Sequence, residues 1–168
     1  IREAEKQAGM CTFWFIKADF VHNWKLGDDG PLVSLPRFQA LRDKGCLEQR
    51  EITLADACKD QMRRKYLAVS HRWLGQGRGS PPDESGLQLQ KIQEYLNLPQ
   101  NTSIEYVWYD YWCMPQDPGR TPVEDAMFYW MLSSVNFVYL GCSVLVLLDM
   151  SYLSRFWVRH PALLWTEG

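Results

Sequence analysis

No apolar run in this chain comes near the roughly 20 residues that a bilayer-spanning helix needs; the longest candidate, residues 144–148, is the size of a strand. A membrane is therefore not an expected partner. No Cys-x-x-Cys pair occurs, and the five cysteines are odd in number. That fits the reduced thiols of a cytoplasmic protein better than a disulfide framework or a zinc site. Histidine is scarce, with three in all, and His71 has no second His, Cys or acidic residue at metal-ligand spacing, so no metal is expected. Neither charge sign dominates: 18 basic against 20 acidic residues give a net charge of -2, which points away from a general nucleic-acid binder. No internal repeat, low-complexity tract or secretory leader is visible, and a chain opening on Ile1 is expected to have lost its natural start.

What the chain has in quantity is aromatic rings. Eight tryptophans, with 14% aromatic and 46% hydrophobic residues overall, give 168 residues the material for one domain with a sizeable core. Several of those rings must fill that core or wall a pocket. Residues 104–132, IEYVWYDYWCMPQDPGRTPVEDAMFYWML, concentrate them and read as a buried strand, a loop and an opening helix.

The first 65 residues read as a polar, mostly helical annex. A short strand is predicted at 12–16, a helix from Ser34 to Lys44 with Pro36 in its first turn and Gly45 stopping it, and a helix from Thr53 to about Arg64. Gly27 to Gly30 is turn chemistry. From residue 66 the pattern sharpens. Strands are predicted at 66–70, 104–109 and 143–148, separated by helices at 84–96 and 122–135. This alternation predicts an α/β domain over 66–168 with a parallel sheet and flanking helices, whose ligands sit beyond the carboxyl ends of the strands. Those ends are Ser70-His71-Arg72-Trp73, Asp110-Tyr111-Trp112 and Asp149-Met150-Ser151.

Each motif near those ends has two readings. The loop Trp112-Cys113-Met114-Pro115-Gln116 looks like a redox loop, but the second cysteine that would resolve a mixed disulfide is missing. Gly75-Gln-Gly-Arg-Gly79 lacks the ending of a P-loop and the spacing of a dinucleotide fingerprint, and reads as a flexible connection. Thr121-Pro122-Val123-Glu124 fits a capping box, with Thr121 as N-cap and Glu124 reaching back to its amide. The same geometry places the Glu124 carboxylate just past the second parallel strand, where it could stabilise positive charge developing on a ribose ring. Arg72 beside a cleft is a reasonable anion clamp, His71 a hydrogen-bonding plug, and Trp157 a ring that packs the core or walls the cleft.

Taken in order, these pieces resemble two related families. Tyr66-Leu-Ala-Val-Ser-His-Arg-Trp73 resembles the first strand and following loop of Toll/interleukin-1 receptor (TIR) domains and the opening of fungal heterokaryon-incompatibility (HET) domains. Val107-Trp-Tyr-Asp110 with Cys113-Met-Pro-Gln116 is similar to a HET block, Glu124 resembles the glutamate that follows it, and Arg155-Phe-Trp157 looks like a late tryptophan-bearing segment of TIR domains. The resemblance covers about residues 66–160. It implies a flavodoxin-like fold and, by analogy with many TIR members, cleavage of NAD at its nicotinamide-ribose bond. NAD would then be a substrate, with no separate cofactor. Glu124 would be the catalytic carboxylate, with Ser70, His71, Arg72, Trp73, Asp110, Trp112 and Trp157 binding substrate along the cleft. The resemblance further implies self-association and a role in cell-death or immune signalling. A non-enzymatic homotypic interaction module and a nucleoside-processing transferase are the alternatives. Gln116 stands where many TIR enzymes carry a glutamate, and the chain, stopping at Gly168, is expected to be a fragment or to have an altered C-terminus.

Overall fold

The computed structural model describes residues 9–24, 35–59, 62–73, 80–83 and 85–148. Along them run β1 (Met10–Lys17), α1 (Ala18–Asn23), α2 (Phe38–Asp43), β2 (Leu47–Thr53), α3 (Leu54–Ala57), β3 (Tyr66–Ser70), α4 (Leu87–Leu96), β4 (Tyr106–Trp108), α5 (Asp110–Cys113), α6 (Pro122–Ser133), α7 (Asn136–Gly141) and β5 (Ser143–Val146). The turn expected at 27–30, the glycine-rich loop 75–79, the third strand end at 149–151 and Trp157 lie outside the described residues.

The fold is α/β, with one mixed five-stranded sheet in the order β2-β1-β4-β3-β5 and helices flanking it. β3 pairs in parallel with both β4 and β5, as alternating strands and helices dictate. Its centre, Leu67, Ala68 and Val69, is fully buried, which is the pattern of a strand covered on both faces. α4 supplies part of that cover. Its apolar residues recur at helical spacing, and Leu89, Ile92 and Leu96 are all buried. The chain goes from β3 to β4 on one side and then to β5 on the other, so the connection reverses at the boundary between β3 and β5.

Two of the five strands come from the segment that reads as a helical annex. β1 pairs antiparallel with β2 and, through Ile16–Val107 and Lys17–Tyr106, with β4, so the N-terminal residues extend the same sheet. β2, LEQREIT, carries no apolar alternation because a polar network takes its place. Arg50 donates to Glu48 and to the hydroxyls of Tyr66 (3.2 Å) and Tyr106 (2.7 Å), and its guanidinium lies 4.8 Å from the centre of the Tyr106 ring. Lys17 bridges to the same Glu48 at 2.8 Å. The helix expected from Thr53 shrinks to the four residues of α3, although Thr53 does form a capping box, with Asp56. Gly45, with φ at +69°, ends α2 where a side chain would be strained. α3 and α7 approach so closely that a Cβ on Gly141 would sit 3.1 Å from the Ala57 Cα.

Candidate functional site

The carboxyl ends of β3 and β4 meet in a cluster of stacked rings. His71, directly after β3, lies flat on Tyr109 with centroids 4.0 Å apart, and Tyr109 stacks on Trp112 at 4.3 Å. His71 Nε2 is 2.8 Å from Asp110 Oδ1, and its Nδ1 is 3.2 Å from the Arg72 carbonyl oxygen. Both ring nitrogens are thus engaged. Tyr109 Oη donates to Gln88 Oε1 at 2.6 Å, while Gln88 Nε2 donates to the Arg72 carbonyl at 2.9 Å, tying α4 to the strand ends. Burial drives the Tyr109 phenol well above its ordinary pKa, so the hydroxyl is a donor. Trp73 continues the aromatic series outward. Its ring is half-exposed, 6.2 Å from His71 and edge-on to Tyr111 at 5.8 Å.

Ser70, His71, Arg72, Trp73, Asp110 and Trp112 are therefore neighbours, as expected of strand ends. The Ser70 carbonyl also accepts the Leu147 amide at 2.8 Å, joining the end of β5 to that of β3. Glu124 makes its contacts elsewhere. It is buried at the N-terminus of α6, where Oε2 accepts the Thr121 amide (2.8 Å) and its own amide donates to Thr121 Oγ1 (3.2 Å). Oε1 accepts from Arg42 of α2. The Thr121 amide, with Arg42 behind it, holds this carboxyl below the usual glutamate range.

α2 is a brace that the sequence did not announce. Arg37 donates to the Pro118 carbonyl at 2.7 Å, Gln39 to the Gln116 carbonyl at 2.7 Å, and Arg42 to Glu124. Gln116 in turn donates to the Asp110 carbonyl at 3.0 Å and the Met114 carbonyl at 2.8 Å. The loop from α5 to α6 is thus fixed from both sides. Cys113 is fully buried beneath it, with Sγ 3.6 Å from the Val107 carbonyl, and burial pushes its thiol up to about 12. A thiol so placed is inert as a nucleophile. Polar partners such as Gln39 and Gln88 carry no local sequence signal, because only the fold reveals what they face.

A pocket of about 530 Å³ opens at the other side of β3, between α4 and β5. Arg72, Gln88, Lys91 and Glu94 give it polar points, and Leu87, Tyr95 and Leu145 are among its apolar walls. It lies at the boundary where the strand order reverses, the usual place for ligands in such sheets. No known family model matches the chain. No curated protein or solved structure matches it significantly either. Among the described residues no three His, Cys, Asp or Glu side chains are grouped to hold a metal ion, and no helix is long and apolar enough to cross a membrane.

Proposed function

We propose that this chain is a TIR/HET-like module of flavodoxin-like fold that works through homotypic contact rather than catalysis. The observation that supports this reading is the number of exposed apolar side chains on α6, α7 and β5. α6 is rich in apolar residues on all sides, yet Val123 is 63% exposed, Tyr129 59% and Leu132 49%. Tyr139, Leu140, Val144, Val146 and Leu148 are also exposed apolar side chains. Eight of the twelve large hydrophobic side chains exposed among the described residues therefore fall within residues 123–148. Isolated exposed apolar residues mean little, but their concentration in one stretch of the chain supports a contact role.

A second reading, an NAD nucleosidase, draws support from Arg72 at the rim of the pocket where the strand order reverses. In that reading Glu124 would have to leave both Thr121 and Arg42 to face a ribose. Incubating the purified chain with NAD at concentrations where sedimentation shows self-association separates the two. Assembly without nicotinamide release is the expected result. Release by the wild type that is lost in Glu124→Gln would establish the nucleosidase and overturn the interaction module.

A further inference from the structure

Along α6 the exposed positions recur at helical spacing. Pro122, Ala126, Tyr129 and Ser133 fall at i, i+4, i+7 and i+11 and form one outward stripe, flanked by Val123 and Leu132. Glu124 and Met131, on the opposite side of the helix, are buried. The stripe carries no charge. Glu124 is paired with Arg42, Asp125 Oδ1 lies 3.3 Å from Arg120 Nε, and no residue from Ala126 to Leu148 is charged. A charge beside a two-fold axis meets its own copy, so a neutral stripe suits such a contact and offers nothing to a partner selected by charge.

The stripe is also uneven in size. Tyr129 stands between Ala126 and Ser133, a ring between two small side chains, so each copy presents both a knob and hollows to receive one. The ring is held before any contact forms. Phe128 meets it edge-to-face at 5.5 Å, and the Arg120 guanidinium lies 4.1 Å from the Phe128 ring centre and 6.0 Å from that of Tyr129. A ring fixed in advance loses less freedom on association, and tyrosine is a favoured anchor at contacts. We propose that two copies of this chain join through α6 about a two-fold axis beside Tyr129, with each Tyr129 ring seated against Ala126 and Ser133 of the other copy. The contact is isologous and closes at a dimer. α6 has 12 residues, about 18 Å at helical rise, and one face of it is small beside the roughly 800 Å² that each partner buries in a standard stable interface. The dimer is therefore weak and populated only at high concentration.

This inference rests on the interaction-module reading and adds to it the element that sits on the axis. The test is sedimentation of the full 168-residue chain over a concentration series, with the melting temperature showing that each variant is folded. Tyr129→Lys and Tyr129→Glu should each raise the dimer dissociation constant at least about tenfold. An equimolar mixture of the two should recover assembly, because opposite charges then face each other across the axis. In the wild type, nuclear Overhauser contacts from the Tyr129 ring to the Ala126 methyl should appear between differently labelled copies. Dimers indifferent to both substitutions, or lacking those contacts, would overturn the proposal and leave the interaction-module reading in place. So would single variants that weaken assembly without recovery on mixing, or assembly that grows past the dimer, since both mean a head-to-tail contact. A wild type that stays monomeric at every concentration would overturn the reading as well, leaving the stripe to an unlike partner.

Discussion

Arg42 and Glu124 stand 82 positions apart and form an ion pair in which the carboxylate is buried and the guanidinium is about one-third exposed. The pair fastens α2 to the first turn of α6, where Glu124 also forms a capping box with Thr121. Replacing Glu124 with Ala removes the cap and the partner of Arg42 together, and is expected to cost about 2 kcal/mol in urea unfolding. Thr121→Ala removes only its part of the cap and should cost about 1 kcal/mol.

The same carboxyl sets a pH dependence with a definite sign. Its folded pKa is lowered from an ordinary value of 4.5, so its contribution is fully present above that value and is lost as pH falls through the folded pKa. Glu124→Gln should flatten the acid limb of the stability curve below pH 4.5 relative to wild type. Glu48, Asp56 and Glu94 are lowered as well and keep the remaining slope. Identical acid limbs in wild type and variant would refute the assignment.

Tyr109→Phe deletes one oxygen and strands the buried Gln88 acceptor. The expected loss is about 1–3 kcal/mol by denaturant titration, since the acceptor keeps its desolvation penalty without a partner. Tyr66→Phe is a control. Its hydroxyl meets Arg50, which retains Glu48 and Tyr106, so it should lose less than about 1 kcal/mol.

Self-association should depend on the exposed apolar side chains of α6. Tyr129→Lys combined with Leu132→Lys is expected to shift the chain to monomer in sedimentation. Both side chains are about half-exposed or more, so stability should change by less than about 0.5 kcal/mol per site. Unchanged sedimentation would remove α6 as the contact surface.

The thiols should divide cleanly. Cys58 is exposed and Cys46 half-buried, whereas Cys11, Cys113 and Cys142 are buried. A thiol reagent should label Cys58 quickly and Cys46 more slowly in the native chain, and the other three only after denaturation. Fast native labelling of Cys113 would show that the loop above it opens.

The parallel half of the sheet was legible because burial on both faces leaves apolar runs in the sequence, as in Leu67 to Val69. The Thr121–Glu124 cap was legible because its chemistry is local. β2 was hidden because Glu48 and Arg50 use charge and tyrosine hydroxyls on a face where alternation would require aliphatic residues. The partners of the strand ends were hidden for a different reason. Gln39 and Gln88 hydrogen-bond across 77 and 21 positions, respectively, and no spacing rule reaches so far. The glutamate singled out for chemistry proved to share its oxygens with a brace contributed by α2, a helix whose sequence carries no hint of that duty.

The antiparallel wedge of β1 between β2 and β4 joins the two halves of this chain in one sheet. A version beginning at Tyr66 would keep every parallel strand and yet bare the flank of β4, along with the tyrosine faces that Phe15 and Arg50 now shield. Such a product should come out of expression as aggregate rather than as a smaller working domain. Boundaries drawn at the start of the parallel alternation would therefore cut through one continuous sheet.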